Sequence, residues 1–192
     1  MKAMILAAGL GKRMRPLTDQ CPKPLLKVAG KPMLQYHLEA LAGGGIEQVV
    51  INLAYRGEQI RDFVGDGRRF GLSVDYSPEP EPLETGGALL KALPLLGPEP
   101  FLLVNGDVWT DYPLVELAEP VLPTSMDGRL LLVANPEFHP HGDFALDSNG
   151  HLSGASELPR YTYAGISLLH PRLIAEYPRR RAIFPLLEAL QP

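Results

Sequence analysis

The segment LAAGLGKRMRPLTDQCPKPLL, residues 6–26, decides how the chain is read. Residues 4–8 form an apolar run of the length of a buried strand, and it passes directly into a loop holding Gly9, Gly11, Lys12, Arg13, Arg15 and Lys23. A strand that feeds a glycine-rich loop is the start of a sheet with covering helices. Glycines let backbone N–H groups approach an anion closely, and the cations neutralise charge that backbone dipoles alone do not. By itself the G-x-G pattern fits a plain turn with a solvated basic loop equally well. Lys12, Arg13, Arg15 and Lys23 in one loop, with Pro22 and Pro24 stiffening the approach to Lys23, favour a phosphate cradle. Neither common glycine fingerprint fits: Met14 stands where a dinucleotide loop needs glycine, and Leu6 and Arg13 where a Walker loop needs glycine and a hydroxyl.

Beyond this segment, residues 32–42 predict a helix with Pro32 in its first turn and Met33, Leu34, Leu38 and Leu41 on one face, stopped by Gly43, Gly44 and Gly45. Residues 49–53, 72–76 and 101–105 predict strands, and residues 57–64 a short helix with Ile60, Phe63 and Val64 inward. Residues 130–134, 144–146 and 163–169 add strands in a half with fewer helices, and residues 183–190 read as helical. The expectation is an α/β, Rossmann-like three-layer sandwich with a mixed, mainly parallel central sheet, parallel in its first half and forming one domain over residues 1–192.

Composition agrees and narrows the function. With 45% hydrophobic residues in 192, the chain can bury one sizeable core, which excludes disordered, collagen-like and coiled-coil classes. A formal charge of −4 gives no global attraction for nucleic acid or an anionic membrane, so any phosphate site must be locally basic. Cys21 is the sole cysteine, which rules out an intramolecular disulfide and a cysteine-rich zinc site. No apolar run approaches the roughly 20 residues needed to span a bilayer. A reducing, cytoplasmic setting is expected.

Two further segments carry candidate chemistry. FLLVNGDVWTD, residues 101–111, delivers Asn105, Gly106 and Asp107 to the carboxyl end of a strand, where ligands bind in open α/β sheets. A carboxylate there suits Mg²⁺, which takes one or two carboxylates with phosphate oxygens and waters. Asp111 stands four residues later as a candidate supporting partner, and a simple turn capped by Asp107 is the competing reading. YSPEPEPLETGGALL, residues 76–90, brings Glu79 and then Thr85, Gly86 and Gly87 to a helix entry, where a flat base could approach backbone. There Glu79 could accept a ring N–H while a backbone N–H of residues 83–87 donates to a carbonyl; a surface loop and capped helix is the competing reading. His139 and His141 lack a third ligand at matching spacing and read as loop surface, because catalytic zinc normally needs three protein ligands.

These residues together resemble the sugar-nucleotide pyrophosphorylases, nucleotidyltransferases that join a nucleoside triphosphate to a sugar 1-phosphate and release pyrophosphate. Their G-x-G-x-R loop and downstream P-K-P-L correspond to residues 9–13 and 22–25, their metal-bearing G-D to Gly106 and Asp107, and a sugar-contacting strand to residues 163–165. Within that family, PEPEPLETGGALLKALPLL and FLLVNGDVWTD are most similar to the N-acetylmuramate 1-phosphate uridylyltransferases of peptidoglycan recycling. The resemblance implies UTP and N-acetylmuramate α-1-phosphate as substrates and Mg²⁺ as cofactor. Arg13 would hold the β- and γ-phosphates, Lys23 the α-phosphoryl and sugar phosphate, and Asp107 the metal. Leu6, Ala7, Ala8, Gly9, Gly11, Lys12, Glu79, Leu83, Glu84, Thr85, Gly86 and Gly106 would surround the nucleotide. Asn105, Gly142, Glu157 and Tyr163 would line the sugar pocket. Alternatives are a mannose 1-phosphate guanylyltransferase, a glucose 1-phosphate thymidylyltransferase and a nucleotide-binding module without turnover; the oligomeric state stays open, a monomer being compatible.

Two departures from the family pattern stand out. The lysine that many relatives carry beside the sugar-pocket glutamate is absent, since Glu157 is followed by Leu158. The family's C-terminal W-x-D-x-G-like segment, with its second metal-binding aspartate, has no counterpart before Pro192. The 192-residue chain is accordingly expected to bind UTP but turn over slowly or not at all unless residues follow.

Overall fold

Alternating apolar residues on the strands bury two opposite sheet faces at once, and this fixes the architecture. The computed structural model describes residues 1–153, 155 and 157–175. Along the chain come β1 (Lys2–Leu6), β2 (Lys27–Val28), β3 (Lys31–Pro32), α1 (Met33–Gly43), β4 (Gln48–Leu53), α2 (Gly57–Val64), β5 (Ser73–Pro78), α3 (Glu84–Leu96) and β6 (Phe101–Asn105). Then follow β7 (Gly128–Val133), β8 (Phe144–Leu146), β9 (Leu152–Ser153), β10 (Arg160–Leu169) and α4 (Pro171–Ala175). The large sheet has the order β5-β4-β1-β6-β10-β8-β9, with β7 also paired to β10. Its first four strands are parallel, and β10 runs antiparallel to β6, β7 and β8.

Ala3 and Ile5 of β1 face α1 and α2, whose Leu34, Leu38, Leu41, Ile60 and Val64 close that layer. Met4 faces the other way, onto Ala88, Leu89, Ala92 and Leu96 of α3 and Leu173 and Ile174 of α4. On β6, Leu102 and Val104 join the first layer, Phe101 and Leu103 the second. This period-two split is what a doubly covered sheet requires.

The expected three-layer, mainly parallel sandwich is thus present. Met33 and Phe63 are only partly buried, and Phe63 packs against the edge of the core. Strand β1 stops at Leu6, whose ladder partner is Asn105, instead of continuing to residue 8. The Ala7 N–H is taken by a side chain, Oδ1 of Asn52, at 2.7 Å. The helix read at residues 183–190 lies outside the described residues.

Candidate active site

Strand β1 is where the chain changes direction across the sheet: β4 and β5 lie on one side, and β6 returns on the other. A crevice forms at the carboxyl ends of strands flanking such a switch point. Here it is a cavity of about 610 Å³ lined by the loop after β1, by Asn52 of β4, by Glu79, Glu84 and Thr85 around the entry to α3, and by Asn105 and Asp107 after β6.

The β1 loop folds as three short 3-10 turns, Lys12–Met14, Leu17–Asp19 and Lys23–Leu25. Gly11 caps the first with a φ of 62°, and a Cβ there would lie 2.8 Å from Thr18 Cγ2, so two constraints select glycine. The Thr18 hydroxyl donates to the Gly11 carbonyl at 2.9 Å and closes the loop. Lys12 and Arg13 are exposed, and among the described residues neither side chain has a hydrogen-bond or ion-pair partner. Arg15 pairs with Asp19 at 3.3 Å.

Lys23 Nζ reaches Asp107 Oδ2 at 2.6 Å, bringing together residues 84 apart in sequence. Gly106 makes this approach possible: its N–H donates to the Leu6 carbonyl at 2.9 Å, and a Cβ would sit 2.6 Å from that oxygen. Among the described residues no three His, Cys, Asp or Glu side chains converge as a metal cage. A half-exposed carboxylate facing the cavity fits a hard cation that keeps its waters and binds substrate phosphate. Beneath the Asp107 loop lies His37 of α1, buried; desolvation pushes its imidazole pKa down, against the opposing pull of the Val108 backbone and Asp107.

At the other end of the cavity, Glu79 is buried and both its oxygens are engaged, Oε1 by Asn52 Nδ2 at 2.8 Å and Oε2 by the Leu83 N–H at 2.9 Å. Each Glu79 oxygen thus accepts one hydrogen bond from the protein, so the carboxylate braces the loop before α3 while lining the cavity. Leu83 is the residue preceding α3, and Glu84 begins that helix with a left-handed φ of 56°. Gly86 is buried within the first turn.

The expected sugar-side residues are less gathered. Asn105 lines the cavity, and its buried Oδ1 has no partner among the described residues. Its Nδ2 would meet a Cβ on Gly165 at 2.8 Å, in the irregular stretch of β10 between Tyr163 and Ser167. Tyr163 turns its hydroxyl to Ser167 Oγ at 3.1 Å and packs edge-on against Phe144, and burial pushes its pKa up to about 12. Its backbone N–H donates to Asp143 Oδ2 at 2.8 Å, and neither ring nor backbone lines the cavity. Gly142 packs against Asn135 and the Tyr161 backbone with a φ of 59°, and Glu157 is exposed just before β10. His139 pairs with Asp143 at 3.0 Å, consistent with a structural loop. Asn52 and His37 were not singled out by sequence reasoning. A polar residue inside an apolar strand or on an apolar helix face is the signal that marks them.

Comparison with known proteins agrees with this geometry. The model of the nucleotidyl transferase family matches residues 2–145. The N-acetylmuramate alpha-1-phosphate uridylyltransferase of Neisseria meningitidis is 48% identical over 180 residues, covering 90% of this chain and 77% of that protein. The mannose-1-phosphate guanylyltransferase catalytic subunit beta of Drosophila melanogaster is 34% identical over 181 residues, covering 90% of this chain and 49% of that protein. Among solved structures, HddC from Yersinia pseudotuberculosis complexed with GMP-PN superposes with a TM-score of 0.77 at 27% identity, covering 95% of this chain and 82% of that one. A glycine-rich basic loop facing Asp107 across a cavity at the switch point, with these likenesses, places the chain in the nucleotidyl transferase family.

Proposed function

We propose that the protein transfers the uridylyl group of UTP to N-acetylmuramate α-1-phosphate, forming the UDP-sugar and releasing pyrophosphate. The observation that carries this reading is the meeting of Lys23 and Asp107 at 2.6 Å beside the unpaired Lys12 and Arg13, in one cavity at the strand ends. A sugar phosphate has its second pKa near about 6, so it is already an anionic nucleophile at neutral pH and needs no general base. One of its oxygens bonds to the α-phosphorus of UTP. The bond from that phosphorus to the bridging oxygen breaks, and pyrophosphate departs with the electron pair.

What such a reaction requires is alignment of two mutually repelling anions and compensation of charge on the leaving group. In this reading Arg13, with Lys12, holds the β- and γ-phosphates. Lys23 leaves Asp107 for the α-phosphoryl and sugar phosphate. Asp107 would hold Mg²⁺, which when bound neutralises phosphate charge. The backbone around Leu83, Glu84, Thr85 and Gly86 takes the base, Asn105 lies toward the sugar, and Gly142, Glu157 and Tyr163 are assigned to the sugar on the family resemblance alone. Uracil and the N-acetylmuramyl group are proposed on the likeness to the Neisseria relative, and a cytoplasmic role in peptidoglycan recycling goes with them.

A grid of UTP, GTP and dTTP against N-acetylmuramate, mannose and glucose 1-phosphates, read by pyrophosphate release with Mg²⁺, tests the proposal. UTP with the N-acetylmuramate compound should be fastest. Faster turnover of GTP with mannose 1-phosphate would make it a guanylyltransferase. UTP binding without pyrophosphate from any pair would make it a binding module.

A further inference from the structure

Four hydrogen-bonding groups form one chain across the ends of three neighbouring strands, buried at Ala7, Asn52 and Glu79. The Ala7 N–H donates to Asn52 Oδ1, Asn52 Nδ2 donates to Glu79 Oε1, and the Leu83 N–H donates to Glu79 Oε2, at 2.7, 2.8 and 2.9 Å. Asn52 is 3% exposed and Glu79 6%, so a broken bond leaves a largely desolvated polar atom. The chain has a single allowed polarity. A backbone N–H only donates, so the Asn52 atom facing Ala7 must be its oxygen. Its amide nitrogen then faces residue 79, which must accept there, and must accept again from Leu83.

The two ends of this chain are the two arms of the cavity. Ala7 opens the glycine-rich loop, and Leu83 precedes Glu84 and Thr85 at the head of α3. We propose that Asn52 is a positioning residue that, through Glu79, ties the phosphate loop to the base loop so that both ends of the nucleotide are held by one rigid unit. The inference rests on the reading of the cavity as a nucleotide site. It assigns Glu79 to the unit through its acceptor polarity and not through contact with the base.

Polarity can be tested by exchange. Asn52→Asp sets an acceptor against an acceptor, and Glu79→Gln sets a donor against a donor. The double variant N52D/E79Q restores every bond, with the direction of the central one reversed: the carboxylate at position 52 accepts from Ala7 and from the amide at position 79, whose oxygen accepts from Leu83. We expect each single variant to weaken UTP binding, measured by calorimetry, by about tenfold or more, and the double variant to return within about threefold of the parent. The KM for the sugar 1-phosphate should stay nearly constant throughout, which general loosening of the fold would not allow. Three results would overturn the proposal: a double variant no better than the singles, which is also what direct base contact by Glu79 predicts; single variants that lose thermal stability but bind UTP normally; or a sugar-phosphate KM that rises in step with UTP loss. If a single variant does not fold, the UTP affinity of N52D/E79Q decides alone. Failure of the parent protein to bind UTP at all would instead refute the nucleotide reading itself.

Discussion

Gly11 combines a left-handed backbone with a contact that leaves no room for a methyl group. Gly11→Ala should cost about 1–3 kcal/mol in a denaturant titration and also raise the KM for UTP, because strain and the Thr18 clash both fall on the phosphate loop. Arg13 and Lys23 differ from it in kind: both sit outside the core. Arg13→Ala and Lys23→Ala should each leave the melting temperature nearly unchanged while lowering turnover by about 100- to 1,000-fold, the usual loss for one preorganised charge contact. Rates within about threefold of the parent would contradict the phosphate-clamp roles. Tyr163 gives a pH prediction. Its folded pKa of about 12 lies above the ordinary tyrosine value of 10.0, so between these values the unfolded chain releases a proton that the folded chain retains. Stability should therefore be intact below about pH 10 and fall as the pH rises toward 12, and Tyr163→Phe should flatten that fall in urea titrations.

Among the elements, the apolar patterns were legible because periodicity is local. Leu34, Leu38 and Leu41 recur at helical spacing and all are buried on α1. Leu38→Ala should destabilise the fold by about 2–5 kcal/mol by leaving a cavity in the layer beneath the sheet, detectable as a lower urea midpoint with an unchanged slope. The glycine-rich loop, the strand leading to Asp107 and the glycine-containing entry to α3 were legible for the same reason: each is a contiguous motif. Asn52 was not, since its value depends on Ala7 and Glu79, which are 45 and 27 residues away. His37 was masked by the leucines around it. For Tyr163, the sequence position marked the right strand, but the direction of the ring depends on Phe144 and Ser167.

For the whole molecule, the decisive feature is the strand order, which no single segment contains. With β1 between β4 and β6, the loop after residue 6, the loop after residue 78 and the turn after residue 105 open into one cavity. The proposed function depends on this cavity joining UTP to a sugar 1-phosphate. Phosphorus NMR of the protein with Mg²⁺, UTP and N-acetylmuramate α-1-phosphate observes that joining without an intermediary. The expected spectrum shows loss of both substrate signals with equimolar growth of pyrophosphate and a sugar diphosphonucleotide. Unchanged substrate signals under conditions where UTP binding is demonstrated by calorimetry, or inorganic phosphate in place of pyrophosphate, would refute it.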